Sequence, residues 1–86
     1  MGVLCRFLGI EIVMHFDDHA PPHFHARYGG HEAKIAIASG EVIRGRLSPR
    51  AARLVRQWTR RYKTELERNW TYGRRFGHLE RIPPLE

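Results

Sequence analysis

Gly29-Gly30 constrains the fold more than any other feature, because it sits between two segments that alternate in polarity. Before it, His23, His25 and Arg27 fall on one side, and Phe24, Ala26 and Tyr28 on the other. Paired glycines supply the positive φ angles of a two-residue hairpin turn. Closing the hairpin there sets Tyr28 opposite His31, Arg27 opposite Glu32, Ala26 opposite Ala33, His25 opposite Lys34 and Phe24 opposite Ile35. Phe24, Ala26, Ala33, Ile35 and Ile37 then share an apolar face, and histidines and charges collect on the other.

The flanking segments extend this sheet. From Gly9 to Phe16 the chain alternates again, with Ile10, Ile12, Met14 and Phe16 against Glu11, Val13 and His15, the pattern of a half-buried strand. Asp17-Asp18 ends it, and Pro21-Pro22 stiffens the loop that delivers His23. Ser39-Gly40 marks the next turn. A three-residue loop with Gly40 in the left-handed region brings Ile43 and Leu47 to the apolar face. A two-residue loop would put Arg44 and Arg46 there.

Ser48-Pro49 is a helix start, with Ser at the N-cap and Pro in the first turn. Ala51, Leu54, Val55, Trp58 and Tyr62 form a core-facing stripe, while Arg53, Arg56, Arg60 and Lys63 face the other way. Thr64 and Glu67 have the spacing of a capping box, so either one helix runs to about Tyr72 or two break near Thr64. Ile82-Pro83-Pro84-Leu85 reads as an extended tail that packs or binds. The expectation is one α+β domain over residues 1–86: strands and hairpins in 1–47, helix in 48–76, tail in 77–86. A three- to four-stranded antiparallel sheet has its apolar face covered by one or two C-terminal helices.

Composition narrows the function classes. The 86 residues suffice for one modest core, and a formal charge of +6 favours acidic partners, nucleic acid or an acidic protein surface. Cys5 is the only cysteine, so no internal disulfide forms, which fits a reducing cytoplasm. No apolar run has the length of a membrane span and the start lacks a signal-peptide core, so the expected location is cytoplasmic.

Asp17 to Tyr28 concentrates the chemistry. His23 and His25, two apart on a strand face, can act as general acid and base near neutral pH, with Arg27 and Lys34 holding a phosphate. That set suits metal-independent RNA cleavage with no cofactor. The same histidines could instead converge on zinc or another divalent metal, with Asp17, His19 or His15 completing the ligands. The cations Arg27 and Lys34 oppose that reading. Taken singly, each residue is also explained by a wet strand face, and Arg27 opposite Glu32 by a cross-strand pair. The stripe Arg53, Arg56, Arg60, Lys63 is either a solvated helix face or a nucleic-acid footprint.

Phe7-Leu8-Gly9-Ile10, the run Phe16-Asp-Asp-His-Ala-Pro-Pro-His-Phe-His-Ala26 and Tyr28-Gly29-Gly30 resemble a small bacterial family. That family is catalogued as a domain of unknown function, number 4160. Ser39-Gly40-Glu41-Val42, Trp58 and Asn69-Trp70 match its layout, so the resemblance covers nearly the whole chain. It implies one half of a type II toxin–antitoxin pair, the toxin half being favoured, with a small cognate partner encoded nearby; the sequence allows a homo- or hetero-oligomer without fixing which. It carries no residue-level reaction. Relatives often have acidic residues where this chain has Arg27 and Lys34, which argues here for nucleic acid or an acidic partner over a shared metal site. A non-enzymatic module, antitoxin-like or DNA-binding, is the other class that these residues allow.

Overall fold

A computed structural model describes residues 2–85; Met1 and Glu86, the ends of the expected domain, lie outside the described residues. Five antiparallel strands form one sheet in the order β1 (Gly2–Phe7), β2 (Ile10–Met14), β3 (His23–Tyr28), β4 (His31–Ala36), β5 (Val42–Gly45). Helix α1 (Pro49–Arg61) follows, then α2 (Lys63–Arg68), a π-helical turn (Asn69–Gly73) and the short α3 (Arg74–Phe76).

The β3–β4 register is the one expected from Gly29-Gly30, from Tyr28 opposite His31 to Phe24 opposite Ile35. Both glycines have positive φ, 58° and 80°. The sheet has five strands, not three or four, because Gly2–Phe7 is itself a strand. A second two-residue turn joins it to β2, with Leu8 at φ 51° and Gly9 at φ 82°. β2 is therefore an inner strand, and the edges are β1 and β5.

β5 departs from expectation in one register step. A bulge between Lys34 and Ile35 sets Val42 opposite Ile35 and Arg44 opposite Lys34. Ile43 is the residue left over, 47% exposed, and Val42 packs against the core in its place. Gly40 takes the expected left-handed conformation, φ 74°, and Leu47 packs as expected. Phe16 is 38% exposed, so the apolar alternation of β2 stops at Met14.

The apolar face carries Cys5, Phe7, Ile10, Ile12, Phe24, Ala26, Ala33 and Ile35, all buried. α1 covers it. Ser48 caps the helix through Oγ, which accepts from the Ala51 N–H at 3.1 Å, and Pro49 stands in the first turn. Ala51, Val55 and Trp58 are buried, with Leu54 and Tyr62 packed beside them. The Trp58 ring lies 5.8 Å from Phe7, 5.7 Å from Phe24 and 6.0 Å from Tyr62. The helix breaks at Tyr62, at φ −113° and ψ 29°, and Thr64 lies inside α2 and not at its cap.

The tail packs. Ile82 is buried and its N–H donates to the Leu4 carbonyl at 2.9 Å, against the β1 edge. Trp58 Nε1–H donates to the Pro83 carbonyl at 2.8 Å. Asn69, buried, holds Glu80 from both sides, its amide N–H donating to the carbonyl and its Oδ1 accepting from the N–H.

Candidate functional site

The polar face of the sheet is organised in two rows by the strand register. In one, Arg6, Glu11, Arg27 and Glu32 alternate in sign across four strands. Each neighbouring pair meets: Arg6 and Glu11 at 2.9 Å, Arg27 and Glu11 at 3.3 Å, Arg27 and Glu32 at 2.8 Å. The next row runs Val13, His25, Lys34, Arg44. These pairings place an imidazole beside two cations, and among the described residues neither Lys34 nor Arg44 forms an ion pair.

Asp18 ties the site together. Its Oδ2 lies 2.9 Å from His23 Nε2 and 3.3 Å from His25 Nε2. His23 Nδ1–H donates to the Pro21 carbonyl at 2.8 Å, and the ring is buried 5.2 Å from Trp70. His25 Nδ1 lies 3.2 Å from Glu32 Oε2. His15, half-buried, meets the His25 ring edge-on at 4.6 Å. The loop is held from the far end of the chain: Arg74 stacks on Trp70 at 3.4 Å and donates to the Asp18 carbonyl at 2.6 Å.

Asp18, His23, His25, Glu32, Lys34 and Arg44 line a cavity of roughly 330 Å³. Of the four residues expected to carry the chemistry, the structure brings His25 and Lys34 to this cavity. His23 lines it too, but both its ring nitrogens are engaged and its side chain is 2% exposed, so it shapes the cleft through Asp18. Arg27 is spent between Glu11 and Glu32. Of the alternative metal set, Asp17 and His19 are exposed turn residues outside the cluster; the residues that gather are His15, Asp18 and His25. Asp18, Glu32 and Arg44 were missed as site residues. The hairpin register already placed Glu32 one step from His25 on the same face, so that signal was present.

Arg53, Arg60 and Lys63 are exposed, and Arg56 pairs with Glu41 at 3.5 Å. None of these four residues lines the cleft.

Partial burial raises the Asp18 carboxyl, but His23, His25 and His15 outweigh it and hold it below its usual range. Burial pushes His25 down against the pull of Asp18, and His15 adds to the lowering. The Arg27 hydrogen bond holds Glu32 down. All three folded pKa values lie below their unfolded ones, so the unfolded chain binds more protons and stability falls on acidification. His25 acts first, below about pH 6.5, and the carboxylates below about pH 4.5. In metal-free buffer the melting temperature of the wild type is expected to fall relative to His25→Ala between pH 7 and 5. A difference that stays constant across that range contradicts the assignment.

Fold and site together define a small basic α+β domain whose polar sheet face carries a carboxylate-centred histidine cleft. The chain belongs to the family described as Domain of unknown function (DUF4160), whose model matches residues 9–71. No curated protein and no solved structure matches it. No helix among the described residues is long and apolar enough to cross a membrane.

Proposed function

We propose that this chain is the toxin half of a two-protein module in the bacterial cytoplasm, kept inactive by a small cognate partner. In this reading it acts on RNA at the histidine cleft. One observation carries the proposal: His25, Lys34 and Arg44 line a single cavity, on a chain of formal charge +6. Lys34 and Arg44, without carboxylate partners among the described residues, suit the non-bridging oxygens of a phosphodiester.

The reaction class that fits is attack by the RNA 2′-oxygen on phosphorus. The new O–P bond forms as the hydroxyl proton passes to an acceptor at His25. The bond from phosphorus to the 5′-oxygen breaks, and that oxygen takes a proton from water. The products are a 2′,3′-cyclic phosphate and a 5′-hydroxyl. A scheme with His23 as the second proton-transfer group gains no support, because its side chain is 2% exposed with both nitrogens held inside the protein, whereas His25 is 17% exposed. His23 is a positioning residue here, and Glu32 orients His25 through Nδ1.

Expressing the chain alone in bacteria is expected to arrest growth, and His25→Ala, or Lys34→Ala with Arg44→Ala, is expected to relieve the arrest. Normal growth with the soluble wild-type chain accumulating overturns the toxin reading.

A further inference from the structure

The cleft leaves a problem of proton placement at His25. Its Nε2 faces Asp18 Oδ2 at 3.3 Å and its Nδ1 faces Glu32 Oε2 at 3.2 Å. An imidazole with one N–H satisfies one of these carboxylates and aims a lone pair at the other. With the proton at Nδ1, given to Glu32, the Nε2 lone pair and the Asp18 oxygen converge on the same point. A proton on Nε2 satisfies this contact as a hydrogen bond, and a metal ion at that point would take the proton's place. His15 supplies a third donor, and donor atoms of His15, Asp18 and His25 all lie within 4.8 Å of one another.

The geometry points to a divalent transition-metal site of the zinc class, held by His15, by Asp18 Oδ2 and by His25 Nε2. Zinc bonds of about 2.0–2.1 Å set neighbouring tetrahedral donors about 3.3 Å apart. The Asp18–His25 edge already has that length, 3.3 Å, and a tilt of the half-buried His15 ring closes the rest. The neighbours are those a bound ion requires. Glu32 Oε2 lies 3.2 Å from His25 Nδ1, where it favours the tautomer that leaves Nε2 free to bind metal. The buried His23 ring holds the Asp18 carboxylate in place, its Nε2 2.9 Å from Oδ2. Of the two cations expected to repel an ion, Arg27 is compensated by Glu11 and Glu32, and Lys34, opposite His25, is the one left without a carboxylate partner among the described residues.

Three protein donors leave the fourth position open, the pattern of catalytic and not structural zinc. An ion there brings the pKa of a coordinated water toward neutrality, which supplies the proton acceptor at His25. The use of the site rests on the reading of the cleft as a phosphodiester site; the ligands do not.

The test uses the full chain without an affinity tag, stripped with chelator, titrated with Zn²⁺ alone by calorimetry and with Co²⁺ by visible absorption. One equivalent of Zn²⁺ and the intense bands of tetrahedral cobalt are expected. Removing an outer partner of a ligand costs about 10–100-fold in affinity. Glu32→Gln is therefore expected to lose about 10-fold, and His15→Ala or His25→Ala on the order of 100-fold or more. His31→Ala and His78→Ala, exposed and outside the cluster, are expected to change nothing. Circular dichroism confirms that each variant is folded, and His15→Ala decides the matter if His25→Ala is not. Binding of less than about half an equivalent, or affinity untouched by His15→Ala, overturns the site. RNA cleavage is scored separately in the same samples. An ion bound with RNA left intact sinks the functional reading and keeps the site. Full-rate cleavage under chelator keeps the functional reading and overturns the ion's part in the chemistry, with the site itself decided by the Zn²⁺ titration.

Discussion

Trp58→Ala is expected to cost about 3–5 kcal/mol of unfolding free energy, the range for deleting a large buried aromatic. Trp58 is fully buried, and its ring touches Phe7 on β1, Phe24 on β3 and Tyr62 at the end of α1. Its indole N–H also holds the tail at Pro83. One side chain therefore links both layers and the C-terminal segment, and its loss leaves a cavity beside an unpaired carbonyl. Domains of this size have about 5–15 kcal/mol in total, so the variant is expected to give up a large share of its stability. Urea titration at 25 °C checks this. A loss below about 1 kcal/mol contradicts the packing described.

Gly45→Ala is the second large effect, and it reaches the cleft. Gly45 has φ 75°, and an added Cβ would overlap the Glu32 carbonyl and lie 3.1 Å from the Ala33 Cα. A left-handed alanine costs about 1–2 kcal/mol and overpacking another 1–3, so about 2–5 kcal/mol is expected. The obstruction is backbone, which has little room to yield, so β5 must move and carry Arg44 with it. Gly29→Ala is the control: φ is also positive, 58°, but nothing lies within 4 Å of the added carbon. It is expected to cost only the conformational part, about 1–2 kcal/mol. Equal losses in the two variants would contradict the close approach of β5 to β4.

How much of this was legible follows from where the information resides. The β3–β4 pairing is local: Gly29-Gly30 permits one tight turn, and a slip of one residue would expose Phe24 and Ile35. The start of α1 is local as well, in Ser48-Pro49. The first strand was missed because its turn is Leu8-Gly9, and leucine is rare at positive φ. The bulge that turns Ile43 outward depends on how β5 meets β4, and alternation alone does not encode it.

At the site, His25 and Lys34 were legible from the register. Asp18 was read as a turn former because its partners His23 and His25 depend on the path of the Pro21-Pro22 loop. That path is secured by Trp70, 47 residues from His23 in sequence, and by Arg74, 56 residues from Asp18. The tail contacts at Leu4 and Trp58 are non-local as well.

The cleft assignment is tested most directly on purified protein with a single-stranded RNA. The wild type is expected to shorten it, leaving 2′,3′-cyclic phosphate ends. His25→Ala is expected to be slower by about 10²–10⁴-fold, the usual contribution of a positioned proton-transfer group. Lys34→Ala with Arg44→Ala is expected to lower the salt slope of RNA binding by about 1.4. RNA left at full length by the wild type, or cut equally fast by His25→Ala, contradicts the account.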